Sequence, residues 1–81
     1  MKMYMTRGIN ERVATDTKFA KFVTASLKKF LNNDWGVTCE EDAELNNAEP
    51  KWAMGAYEQD GEKIWIKRDD TYLTILFPSE Y

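Results

Sequence analysis

The chain has 81 residues, a formal net charge of −3, one cysteine and no histidine. Without histidine there is no imidazole proton shuttle and no imidazole metal ligand. A lone cysteine makes neither an internal disulfide nor a thiolate cage. Most histidine-dependent hydrolases, zinc proteins and dithiol redox enzymes are thereby removed, and the negative charge argues against the cationic footprint that nucleic acid binding needs.

Eighty-one residues make one domain, 1–81, of modest stability. An aromatic share of 14% supplies large buried areas from few residues, so the composition is globular. No apolar run approaches the roughly 20 residues of a membrane span, and Met1–Met5 is too short for a signal peptide. A free cysteine fits a reducing cytoplasm. No membrane association and no cofactor are expected.

Met3-Tyr4-Met5-Thr6 reads as a first strand, broken by Gly8. Ile9–Ala14 is ambiguous, with room for one helical turn. The strongest element is a helix over Asp16–Asn33. Its apolar residues Phe19, Phe22, Val23, Leu27, Phe30 and Leu31 recur every three or four positions on one stripe. Thr15 or Asp16 can cap it, and Lys28 and Lys29 favour its C-terminal dipole. Gly36, in Asp34-Trp35-Gly36, is suited to a positive φ where the helix closes, folding Trp35 back to lock two helices together.

Thr38-Cys39-Glu40-Glu41 has the form of a capping box, so a short helix is expected over Cys39–Asn47, stopped by Asn46, Asn47 and Pro50. Strands follow at Trp52–Glu58, Lys63–Arg68 and Thr71–Phe77. Asp60-Gly61 makes one hairpin turn and Asp69-Asp70 the next. The expected fold is α+β in the order β-α-α-β-β-β. An antiparallel C-terminal meander packs on one long helix, with the first strand at a sheet edge. Ile64, Ile66, Leu73, Ile75 and Phe77 face the helix. Lys63, Trp65 and Lys67 fall on the opposite face, which Tyr57 and Tyr72 can share.

Three patterns bear on function. Asp34, Glu40, Glu41, Asp42, Glu44 and Glu49 form an acidic run with no lysine or arginine among them. It suits a docking surface for a protein with a basic groove, although the helix dipole alone also favours acids in a first turn. The spacing does not match a calcium loop. The outer sheet face at Tyr57, Lys63, Trp65, Lys67 and Tyr72 offers an aromatic group between cations, able to stack on a base or a peptide. Cross-strand aromatic pairing explains the same residues. Cys39 reads as an inert small residue. Asp69-Asp70 and Glu40-Glu41-Asp42 are carboxylate pairs that turns and caps account for, and no phosphate loop or nucleophile elbow is present. No catalytic or metal-binding residues are assigned.

Met3-Tyr4-Met5-Thr6-Arg7-Gly8, Phe19-Ala20-Lys21-Phe22-Val23, the Asp34-Trp35-Gly36 and Thr38–Asp42 run, Lys63–Ile66 and the ending Ile75–Tyr81 together resemble short proteins labelled plasmid-related, found on plasmids and integrative conjugative elements of Firmicutes. The resemblance covers nearly the whole chain. Those relatives carry a longer acidic and glycine-rich linker where this chain runs from Asn47 to Met54. The family supplies no activity to transfer; it implies a bacterial mobile-element setting. The expectation is a non-enzymatic accessory protein, monomeric or homodimeric, that binds a basic protein partner through Asp34, Glu40, Glu41, Asp42 and Glu44. Inhibition of host defence, by anti-restriction or anti-CRISPR action, is one form of this. The alternative is a small nucleic-acid- or peptide-binding module centred on Trp65.

Overall fold

A computed structural model describes residues 2–81. Met1, where the apolar Met1–Met5 opening begins, lies outside the described residues. The fold is α+β. The strands are β1 (Lys2–Met5), β2 (Met54–Gln59), β3 (Glu62–Asp69) and β4 (Tyr72–Leu76), and the helices are α1 (Arg7–Thr15), α2 (Thr17–Leu31) and α3 (Glu40–Ala48). One mixed sheet runs β1-β4-β3-β2. The meander β2-β3-β4 is antiparallel, and β1 joins the edge beside β4 in parallel.

Two helices pack on the sheet, where the sequence promised one. The ambiguous stretch after Gly8 is a full helix, α1, not a single turn. Its Ile9 is fully buried and its Val13, one turn on, packs against the same core. A carboxylate from the far end of the chain caps its start. Glu80 accepts from the Thr6 hydroxyl at 2.6 Å and from the Gly8 amide at 3.0 Å. Thr6 therefore leaves the strand and becomes the N-cap of α1.

Asp16 ends α1 and starts α2. Its amide donates to the Arg12 carbonyl, and its carboxylate accepts from the Phe19 amide at 3.1 Å. Phe19, Phe22, Val23 and Phe30 then line the buried stripe, with Ser26 between them, while Leu31 at the helix end is exposed. The helix closes at Asn33 (φ 61°) rather than at Gly36. Asn33 and Asp34 amides donate to the Phe30 and Lys29 carbonyls, the paired bonds of a left-handed C-terminal cap.

Across from α1 and α2, Ile64, Ile66, Leu73 and Ile75 fill the inner face of the sheet. Phe77 packs its ring 5.6 Å from that of Phe19. Each such aliphatic side chain contributes about 1.5–3 kcal/mol by leaving water. Positive φ at Asp60 and Gly61 makes the β2-β3 turn that Asp-Gly implied. Trp52 is not in the strand: Pro50–Trp52 forms a 3-10 turn and leaves it exposed.

Candidate functional site

The acidic segment is anchored by polar side chains more than by apolar area. Trp35 is buried and stands edge-on to Phe30, with ring centroids 5.2 Å apart. Its indole N–H donates to Asn47 Oδ1 at 3.0 Å, which ties the end of α2 to α3 as expected. Asn46 is also buried. Its Nδ2 donates to the Met54 carbonyl at 2.8 Å and its Oδ1 accepts from the Met54 amide at 3.1 Å. The side-chain amide thus pairs with β2 as another strand would. Sequence reasoning took both asparagines as helix stops and missed this docking role. The available signal was a pair of poor helix formers inside a helix, where a specific bond has to justify them.

The capping box is not formed. The Thr38 hydroxyl donates to the Trp35 carbonyl instead, and Cys39, exposed, is the N-cap of α3 with no side-chain cap bond. Gly36 takes φ 72° to bring the chain against β2, where a Cβ would lie 2.0 Å from the Ala56 carbonyl oxygen. Asp34 accepts from the Gly36 amide through its carboxylate.

Glu40, Glu41, Asp42 and Glu44 all point to solvent. Among the described residues none of them, nor Asp34 or Glu49, makes an ion pair. Every acid elsewhere has a cation or a hydrogen-bond donor. Arg12 grips Glu62 through two bonds of 2.6 and 2.7 Å and reaches Asp16 at 3.3 Å. Lys18 meets Asp60 at 2.7 Å. Arg7, Lys51, Lys63 and Lys67 lie within 4.0 Å of Glu11, Asp70, Glu58 and Asp69. The Arg12 bonds hold Glu62 below the usual carboxylate range, the Phe19 amide does so for Asp16, and the Thr6 hydroxyl does so for Glu80.

The outer sheet face differs from its expected form at one position. Tyr57 is buried on the inner face, opposite Ile64, and its hydroxyl donates to the Asp34 carbonyl at 2.7 Å. Burial pushes that phenol well above its ordinary value. The sequence pattern sets Tyr57 on the outer face with Trp65; the register with β3 puts it opposite Ile64 and turns it inward. Lys63, Trp65 and Lys67 do lie outside, but each lysine stands beside an acid, and Tyr81 packs edge-on to Trp65 with centroids 5.5 Å apart. Tyr72 pairs with Tyr4 at 5.7 Å near the other edge.

The two candidate regions meet in a groove of about 210 Å³, where Cys39 and Asp42 at the start of α3 face Met54, Ala56 and Trp65. Among the described residues, no cluster of three or more Cys, Asp or Glu is placed to hold a metal ion, and no helix is long and apolar enough to cross a membrane. No family model, no curated protein and no solved structure matches the chain.

Proposed function

We propose that this chain is a non-enzymatic accessory protein that captures a protein with a basic surface through the carboxylates of α3. One observation carries the reading: among the described residues every acid outside Asp34–Glu49 meets a cation or, for Glu80, hydrogen-bond donors, whereas Glu40, Glu41, Asp42 and Glu44 meet neither. Six of the 14 acidic residues and none of the 11 lysines and arginines fall there. An unscreened row of exposed carboxylates attracts a cationic groove and speeds encounter with it. Glu40, Glu41, Asp42 and Glu44 supply that row, and Asp34 borders it. The sequence resemblance supports a bacterial mobile-element setting and the lone cysteine a cytoplasmic one, and a groove made for nucleic acid in a host-defence protein is the concrete target this charge pattern suits.

The test is affinity capture from a host lysate, with mass spectrometry, using the native chain and the variant Glu40→Lys, Glu41→Lys, Asp42→Lys. The native chain is expected to retain a basic protein that elutes with salt and that the variant loses, while the variant's circular dichroism stays native. Equal capture by both forms removes the reading. Retention of single-stranded nucleic acid by both forms moves the function to the outer face around Trp65.

A further inference from the structure

The two edges of the sheet are finished differently. At the β2 edge, the outward main-chain groups of Met54 are both taken by the Asn46 side chain. Those of Ala56 are taken by Trp35 and Val37: the Ala56 amide donates to the Trp35 carbonyl at 3.1 Å, and its carbonyl accepts from the Val37 amide at 2.8 Å. That edge is closed along Met54–Ala56, and Glu58 beside the turn is the one outward residue of β2 left over among the described residues.

At the β1 edge nothing comparable occurs among the described residues. The amides of Lys2 and Thr6 donate inward, to Thr71 and Ile75. Strand alternation therefore turns the amides and carbonyls of Met3 and Met5 outward. All four residues of β1 are exposed, Met3 by 49% and Tyr4 by 51%. An open edge with three apolar side chains and one lysine is a ready template for another strand.

We infer that β1 pairs antiparallel with β1 of a second copy, across a two-fold axis at Tyr4, to form a homodimer with one continuous sheet. The pattern is self-complementary. Met3 of each copy stands opposite Met5 of the other and exchanges both main-chain bonds with it, and the two Tyr4 residues face each other. Charge complements the geometry. The acidic segment borders β2, the far edge of the sheet. At about 4.8 Å per strand, the acidic borders of two joined copies lie roughly 34 Å apart, several Debye lengths of about 8 Å. Each copy has one edge open along its length and one with at most a single uncovered residue, too short to add a strand, so the assembly closes at the dimer and does not propagate as a fibre. This pairing stands whatever α3 binds, and it leaves both acidic surfaces free.

Mass by light scattering, read over an about hundredfold concentration range, tests the pairing in the native chain and in Met5→Pro. Proline removes the outward Met5 amide but no bond to β4, and a solvent-side edge position tolerates it. The native chain is expected at twice the chain mass, and the proline variant at the single-chain mass or associating at least about tenfold more weakly. Tyr4→Cys in a Cys39→Ser background provides a second readout. Non-hydrogen-bonded antiparallel partners have Cα atoms about 4.5 Å apart, within disulfide range. Mild oxidation should yield a covalent dimer much faster than in a Lys21→Cys, Cys39→Ser control. A native chain at single-chain mass throughout, cross-linking no faster than the control, or a folded Met5→Pro variant that stays dimeric would each overturn the proposal. The first of these outcomes would leave the edge to a strand from a different protein.

Discussion

The body built from α1, α2 and the sheet differs from the Asp34–Glu49 segment in what holds it and in what it leaves exposed. The body buries Ile9, Ile64, Ile66 and Ile75 completely and gives each of its acids a partner: Arg12 alone engages Glu62 and Asp16 while lying 4.6 Å over the Phe19 ring. The segment buries little beyond Trp35 and Asn46, clips itself to β2 with side-chain hydrogen bonds, and leaves the carboxylates of Glu40, Glu41, Asp42 and Glu44 free. Loss of a contact in the body should therefore unfold the molecule, whereas loss of a contact in the segment should release α3 from an intact sheet. The surface assigned to recognition is carried by the more weakly secured part, where local opening costs least.

The most forceful way to break this contrast is Ile75→Ala. Truncating a fully buried aliphatic side chain costs about 2–5 kcal/mol, comparable with the whole stability of a domain this small. Urea unfolding should show a collapsed midpoint, and a near-native midpoint would mean that the core is not where the stability lies. Asn46→Ala should have a smaller and more local effect. It strands the Met54 amide and carbonyl, at about 1–3 kcal/mol. Hydrogen exchange should rise over residues 40–48 while β3 and β4 stay protected. Uniform loss of protection would erase the distinction between the two regions.

Acid should produce the gentlest separation. Asp16, Glu62 and Glu80 have folded-state pKa values below their unfolded ones, so their contribution is present above about pH 4 and is lost as pH falls through the folded values. With no histidine, the melting temperature should be flat between about pH 6 and 8 and decline below about pH 4. Glu80→Gln should shallow that decline, and an unaltered slope would show that the cap on α1 carries no pH-dependent stability.

Much of the body was legible in the sequence. The stripe from Phe19 to Phe30, the Asp60-Gly61 turn and the alternation around Ile64 and Ile66 are local patterns with one reading each. What escaped was non-local. Nine residues give α1 too few turns for a periodic signal, and its cap comes from Glu80, more than 70 positions away. Tyr57 is amphipathic enough for either face, and only pairing with Ile64 sends it inward. At the candidate site, the exposure of Glu40, Glu41, Asp42 and Glu44 follows from their chemistry. The Asn46 clip depends on where Met54 lies in space, which no spacing rule reveals.

The Glu80 clamp and the β1-β4 ladder bind the opening residues to the closing ones. During synthesis, Lys2–Met5 leave the ribosome long before Tyr72–Leu76 exist to receive them. Helix α1 likewise waits uncapped until Glu80 is made. A product truncated before Tyr72 lacks the strand that receives β1 and keeps its methionines exposed, a ready substrate for proteases that clear unfinished chains.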